Sequence, residues 1–97
     1  MDLRIQAIHF DASEKLVAFI NKKVDKLTRR CADITAIDVT LKVVKPETSL
    51  NKEAIIKVAV PQTDDIVATK TADTFEEAID LCLEAIERQF SKIKDKK

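Results

Sequence analysis

From Phe75 to Ile93, apolar residues recur at three- and four-residue steps: Phe75, Ala78, Ile79, Cys82, Leu83, Ile86, Phe90 and Ile93. That period is one stripe along a helix of about five turns, and such a stripe is stable only when another apolar surface covers it. The rest of the chain must therefore supply that surface. Asp73, with Glu76 three residues on, reads as a capping box at the start of the helix, because both side chains can accept amide N–H groups that the first turn leaves unpaired. Charge is sorted along the same stretch. Asp73, Glu76, Glu77, Asp80, Glu84 and Glu87 precede Arg88, Lys92, Lys94, Lys96 and Lys97, with Asp95 the one acid in the basic tip. Acids first and bases last suit the helix dipole. A dipole needs only a charge or two per end, however, so a cationic tip this dense also fits a bound polyanion.

The covering surface is found upstream. Residues 2–8 alternate Leu3, Ile5 and Ala7 against Asp2, Arg4 and Gln6, which is the period of a half-buried strand. Ser13 to about Arg30 is helical, with Leu16, Ile20, Val24 and Leu27 on one stripe and Val17 beside it; Asp11 or Ser13 can cap it, and Glu14 favours Asp11. Residues 34–44 place Ile37, Val39, Leu41 and Val43 on one face and Asp38, Thr40 and Lys42 on the other, a strand with one wet side. Lys45–Lys52 reads as a loop around Pro46. Residues 53–60 form a strand with Ala54, Ile56, Val58 and Val60 inward, 61–65 a turn, and 66–71 a last short strand.

The order is thus β-α-β-β-β-α. A crossover helix between the first two strands makes them parallel and right-handed, and the two short connections that follow make antiparallel pairs. The expected architecture is an α+β two-layer sandwich, with a four-stranded mixed sheet and both helices on one face. Ninety-seven residues suffice for one such domain, spanning 1–97, and not for two. No apolar run approaches the roughly 18 residues of a membrane span, and Met1-Asp2-Leu3 opens no secretory leader. Cys31 and Cys82 are too few for a disulfide scaffold and read as reduced thiols of a cytoplasmic protein.

Little supports catalysis. His9 is the single histidine and has no acid, thiol or hydroxyl partner at a recognisable spacing. The chain contains no glycine, which excludes Gly-rich phosphate loops and the usual nucleophile elbow. Two distant cysteines and one histidine make no zinc pattern. The expectation is no catalytic residue, no metal, no cofactor, no small-molecule substrate and no membrane partner.

What remains is electrostatic. Net charge is zero, so the basic residues matter by position and not by sum. Lys22, Lys26 and Arg29 or Arg30 stand one turn apart on the first helix, as do Arg88, Lys92 and Lys96 on the last. Two cationic rows at this spacing can bridge successive phosphates of an RNA backbone. The competing reading is a solvated face with dipole-matched charges. Tyr and Trp are absent and the four Phe fall mostly on helices, so any RNA would be read by shape and backbone and not by stacking on the sheet.

In this pattern the chain resembles the ribosome hibernation-promoting factors, the family that also includes ribosome-associated inhibitor A. The likeness runs through Ile8-His9-Phe10, Val39-Thr40-Leu41-Lys42-Val43, Ile66-Val67-Ala68-Thr69, Ala78-Ile79-Asp80 and, above all, Arg88-Gln89-Phe90-Ser91-Lys92-Ile93-Lys94. The resemblance implies a fold akin to double-stranded-RNA-binding domains. It further implies binding to the small ribosomal subunit and its rRNA, where messenger and transfer RNA would lie, and inhibition of translation during starvation. The RNA-contacting positions would fall on Lys22, Lys23, Lys26, Arg29, Arg30, Arg88, Lys92 and Lys94. The chain departs from the family at Ala7-Ile8, where a Gly-Arg pair is usual, at Ala85, where a lysine is usual, and at Phe75, one position from the expected aromatic residue. Long members carry a further dimerisation domain, and this chain looks like the short type, a monomer away from the ribosome. The alternative is a small RNA-binding or adaptor module with no part in hibernation.

Overall fold

Strand β1 (Asp2–Ile8) leads through a short loop into helix α1 (Glu14–Arg30), and strands β2 (Ala36–Val43), β3 (Lys52–Ala59) and β4 (Ile66–Ala72) precede helix α2 (Phe75–Asp95). This computed structural model describes residues 2–8, 10–30, 33–44, 51–61 and 64–95, with side chains of α2 described through Ser91. Met1, His9, Cys31, Lys45, Pro46, Lys96 and Lys97 among the residues discussed above lie outside the described set, as do the side chains of Lys92, Ile93, Lys94 and Asp95.

The expected topology is the observed one. The strands lie in the order β1-β2-β3-β4. β1 pairs parallel with β2, and β2–β3 and β3–β4 are antiparallel. The register keeps the inward rows aligned across the sheet: Ile5 opposite Val39, Val39 opposite Ile56, Ile56 opposite Ala68. A slip of one residue would turn each of these side chains to water, so the buried face fixes the pairing.

The two stripes fill the space above that face. Leu16, Ile20, Val24 and Leu27 of α1 and Ala78, Ile79, Cys82, Leu83, Ile86 and Phe90 of α2 join Ile37, Val39, Leu41, Ala54, Ile56 and Val58 in a single core. Ile20, Ile37, Ile56, Ile79 and Ile86 are wholly buried, each worth about 1.5–3 kcal/mol against leaving the side chain in water. The inward residues Leu3 and Ile5 are only partly buried, because β1 is an edge strand with a neighbour on one side alone. Val43, assigned inward by alternation, is exposed at the end of β2.

One of the two candidate caps holds at α1, and the cap of α2 is shifted by one residue. The amide N–H of Leu16 donates to Ser13 Oγ at 3.1 Å, so Ser13 and not Asp11 caps α1. The amide of Glu77 donates to Thr74 Oγ1 at 3.1 Å, so the α2 cap sits one residue after Asp73, and Glu77 takes the third helical position. A hydroxyl placed three residues before its amide satisfies the N-cap geometry in each case. Just beside these caps the rings of Phe10 and Phe75 stack at 4.8 Å with planes 9° apart, a contact that ties the entrance of α1 to the entrance of α2.

That contact reflects chain direction. With β1 and β2 parallel, α1 must run back against both, and the meander β2-β3-β4 leaves β4 running with β1. α2 therefore also runs back, beside α1 and in the same direction. Their ion pairs Lys23–Asp80 and Arg30–Glu87 each join residues 57 positions apart, as expected for two co-directed helices in constant register. Beyond the level of Arg30, α2 continues from Arg88 to Asp95, about 12 Å at 1.5 Å per residue.

Two stability predictions follow from the core. Phe90 is 8% exposed at the end of the α2 stripe, and Phe90→Ala should cost about 3–5 kcal/mol in chemical denaturation; an unchanged midpoint would mean the helix is rotated. Burial pushes the Cys82 thiol up from 9.0 to about 11, with its S–H donating to the carbonyls of Ala54 at 3.2 Å or Ala68 at 3.5 Å. Because the folded pKa is the higher, the contribution is whole below about pH 9 and is lost between 9 and 11, where only the unfolded chain ionises. Relative to Cys82→Ala, the wild type should lose roughly 2 kcal/mol over that window; parallel curves for the two proteins would show a solvated thiol.

Candidate nucleic-acid interface

The co-directed helices enclose a groove of about 260 Å³ on the outer side of the molecule. Leu27 and Leu83 line it together with Lys23, Lys26 and Arg30 of α1 and Asp80, Glu84 and Glu87 of α2. Lys23 Nζ lies 3.1 Å from Asp80 and 5.4 Å above the ring of Phe19. Arg30 reaches Glu87 at 3.3 Å. Within helices, Arg29 meets Asp25 at 3.4 Å and Arg88 meets Glu84 at 2.7 Å, both one turn apart.

These distances sort the sequence-predicted residues. Lys23, Lys26 and Arg30 are gathered in the groove. Lys22 and Arg29 are exposed on α1 outside the groove lining. Arg88 lies instead on the opposite flank of α2, beside Leu81, Ala85 and Lys70. Among the described residues Lys22 and Lys26 have no carboxylate within ion-pair distance, whereas Lys23, Arg29, Arg30 and Arg88 each have one. The side chains of Lys92 and Lys94 are outside the described residues.

The expectation of solvent-facing cationic rows thus needs refinement. Of the acids of α2 that precede its basic tip, Asp80 and Glu87 turn toward α1 and pair with Lys23 and Arg30. One arrangement stands out at the centre of the groove: Glu84, opposite Lys26, is drawn toward Arg88, and among the described residues Lys26 has no carboxylate partner between two closed ion pairs.

Sequence reading did not place Lys70. It occupies an inward position of β4, in line with Ile66, Ala68 and Ala72, yet is exposed because β4 is an edge strand flanked by α2. The signal was a charge at an apolar position of the alternation, which on an edge strand also discourages pairing with another sheet. The open sheet face carries the cross-strand pairs Arg4–Asp38 at 3.9 Å and Lys42–Glu53 at 3.2 Å, and Lys57 pairs at 3.3 Å with Asp65 just before β4. The depression on that face is lined in part by Gln6, Thr40, Ile55 and Val67, and none of its lining residues is aromatic. Among the described residues no three of His, Cys, Asp and Glu group as metal ligands, and no helix is long and apolar enough to cross a membrane.

Residues 3–97 match the sequence profile of the family described as sigma 54 modulation protein / S30EA ribosomal protein. Among solved structures, a ribosomal subunit interface protein from Coxiella burnetii superposes with a TM-score of 0.86 at 24% identity, covering 98% of this chain and 99% of that one. The N-terminal domain of Protein Y from Thermus thermophilus superposes with a TM-score of 0.78 at 17% identity, covering 96% and 99%. At these identities the superpositions establish the fold. No curated protein matches the sequence.

The groove pairs are half exposed, and pairs of that kind contribute about 0–1 kcal/mol. Asp80→Asn and Glu87→Gln should therefore each lower stability by less than about 1 kcal/mol in urea titration. A larger loss would mean that the ion pairs, and not the leucines beneath them, hold the helices together.

Proposed function

Because the chain belongs to the sigma 54 modulation protein / S30EA ribosomal protein family, a ribosome-associated family, we propose that it binds the small ribosomal subunit in the cytoplasm and inhibits translation by occupying the channel of messenger and transfer RNA. The observation that carries this reading is the direction of the helices. Two co-directed helices bring the cation-rich second half of α1 alongside Asp80 to Glu87 of α2 and leave the last third of α2 projecting beyond it in the same direction. From Lys22 to Arg30, α1 carries five cations against the single acid Asp25, and Lys22 and Lys26 are unpaired among the described residues. Such a surface suits a folded RNA backbone, whose phosphates are fixed in space.

In this mechanism Lys22 and Lys26 meet phosphates directly. Lys23, Arg29 and Arg30 do so by exchanging a carboxylate for a phosphate, and Arg88, Lys92 and Lys94 extend the contact along the overhanging end of α2. With no aromatic side chain lining the depression on the sheet face, recognition proceeds through backbone and shape and not through base stacking. The protein acts by occupancy, excluding the RNAs that a translating ribosome needs, without a chemical step. It works as a monomer, in starved or stationary cells where idle ribosomes accumulate.

The test is cosedimentation with purified small subunits across a salt series, joined to a cell-free translation assay. Binding should fall steeply with salt, since each neutralised phosphate releases counterions. Lys22→Gln with Lys26→Gln should weaken binding, flatten the logarithmic salt slope by roughly one unit per lost contact, and relieve inhibition in proportion. Lys52→Gln with Lys57→Gln is the charge-matched control. Wild-type protein that stays at the top of the gradient at about 100 mM salt defeats the proposal. A control pair that weakens binding equally removes the assigned residues.

A further inference from the structure

The groove that offers Lys23, Lys26 and Arg30 to phosphate also holds Asp80, Glu84 and Glu87, so its charge is balanced before any ligand arrives. Two of its three cations are occupied by carboxylates at 3.1 and 3.3 Å. Both pairs sit two helical turns apart with Lys26 between them. Lys23 is held further by the ring of Phe19 below it. Helix dipoles do not require this arrangement. Asp80 lies in the second turn of α2 and Glu87 in its middle, where terminal dipole effects have faded, and both are turned toward α1.

We propose that Asp80 and Glu87 set the selectivity of the basic face, acting as built-in competitors that a nucleic acid must displace from Lys23 and Arg30, so that a folded RNA with fixed phosphates is preferred over a flexible strand. The proposal rests on the ribosome-binding reading for the identity of the favoured RNA. Lys26, at the centre and without a carboxylate partner among the described residues, is the point of entry. A phosphate seated there has a closed ion pair one turn away on each side. Opening either pair leaves its carboxylate on the groove rim, where it repels the next phosphate. A flexible strand loses conformational freedom at every phosphate it fixes, and it gains little from cations already neutralised. A rigid array loses little on docking, and can hold phosphates over the cations while avoiding the carboxylates. An exposed ion pair is weak enough to be opened by such an array. The balanced groove also agrees with the chain's zero net charge, which gives no long-range attraction for polyanions in general.

The experiment compares wild type, Asp80→Asn/Glu87→Gln and the charge-matched control Asp11→Asn/Glu76→Gln, whose acids stand at the far, N-terminal ends of the helices. Each is titrated with poly(U) and with small ribosomal subunits at several salt concentrations, after circular dichroism shows the same helix content. Where the double variant fails to fold, Glu87→Gln alone replaces it. The groove variant should bind poly(U) about tenfold more tightly than the control at about 50 mM salt, with a logarithmic salt slope steeper by roughly one unit. Its affinity for small subunits should change far less, so that discrimination between the two ligands falls. Poly(U) binding no tighter than in the control overturns the proposal, and so does an equal gain on both ligands. Wild-type protein that ignores small subunits refutes the ribosome-binding reading alone, and the poly(U) comparison still decides whether the acids mask the cations.

Discussion

The rest of the structure depends on the direction in which α2 runs, and strand parity sets that direction. A right-handed crossover makes β1 and β2 parallel and sends α1 back across the sheet. Two further antiparallel strands then return the chain to the same end, and α2 must also run back. With one strand more or fewer, the helices would oppose each other and their basic ends would lie at opposite poles. The fold brings them to the same end of the molecule because three strands, an odd number, separate the helices.

Co-directed neighbours carry an electrostatic cost. Each helix end behaves as roughly half a charge, and here like ends point the same way. The sequence offsets this locally, with Glu14 in the first turn of α1, Glu76 and Glu77 in that of α2, and Arg29 and Arg30 in the last turn of α1. Dipole matching thus accounts for part of the charge pattern, each contribution being about 0.3–1 kcal/mol at an exposed end. It does not account for Lys22, Lys23 and Lys26, which lie before the last turn of α1, nor for Asp80 turned toward Lys23. The stagger of the helices adds to the asymmetry, since α2 overhangs α1 by about two turns and presents its tip without a neighbouring helix. Packing and charge therefore solve different problems on the same pair of elements. Leu27 and Leu83 lie between the helices, and the charged residues line the groove with them.

The fold was legible in the sequence because each element carries an unambiguous period. Ile37, Val39 and Leu41 alternate cleanly, and Leu16, Ile20, Val24 and Leu27 repeat at helical steps; all seven are buried. The misreadings are local. Thr74 caps α2 where Asp73 was expected, and of the two candidates Asp11 and Ser13 it is Ser13 that caps α1, because a motif of acceptor, two spacers and acid can be drawn from overlapping residues and only backbone geometry selects among them. The basic residues of the two helices were legible as a set of cations, and their arrangement was not. That Lys23 and Arg30 meet Asp80 and Glu87 depends on the relative register of two helices far apart in sequence, and no periodicity within either helix reports it. Lys70 was missed for the same reason: it adjoins Arg88 only once β4 and α2 pack together.

The two faces of the molecule differ in how their charges are settled, and this bears on which face can meet RNA. On the open sheet face Arg4, Lys42 and Lys57 are matched by Asp38, Glu53 and Asp65. In the first two pairs the partners stand directly opposite in the strand register, where opposite charges support the sheet itself. Replacing those carboxylates by phosphates would give up cross-strand contacts that help hold the layer. On the helix face the pairs bridge elements already joined by buried apolar side chains, and one cation between them has no partner among the described residues. An ion pair that the fold does not need can be exchanged for a ligand without loosening the core. The helix face combines cations without a partner among the described residues, exchangeable pairs and an apolar base of Leu27 and Leu83, and those three features are what the proposed contact with an RNA backbone draws on.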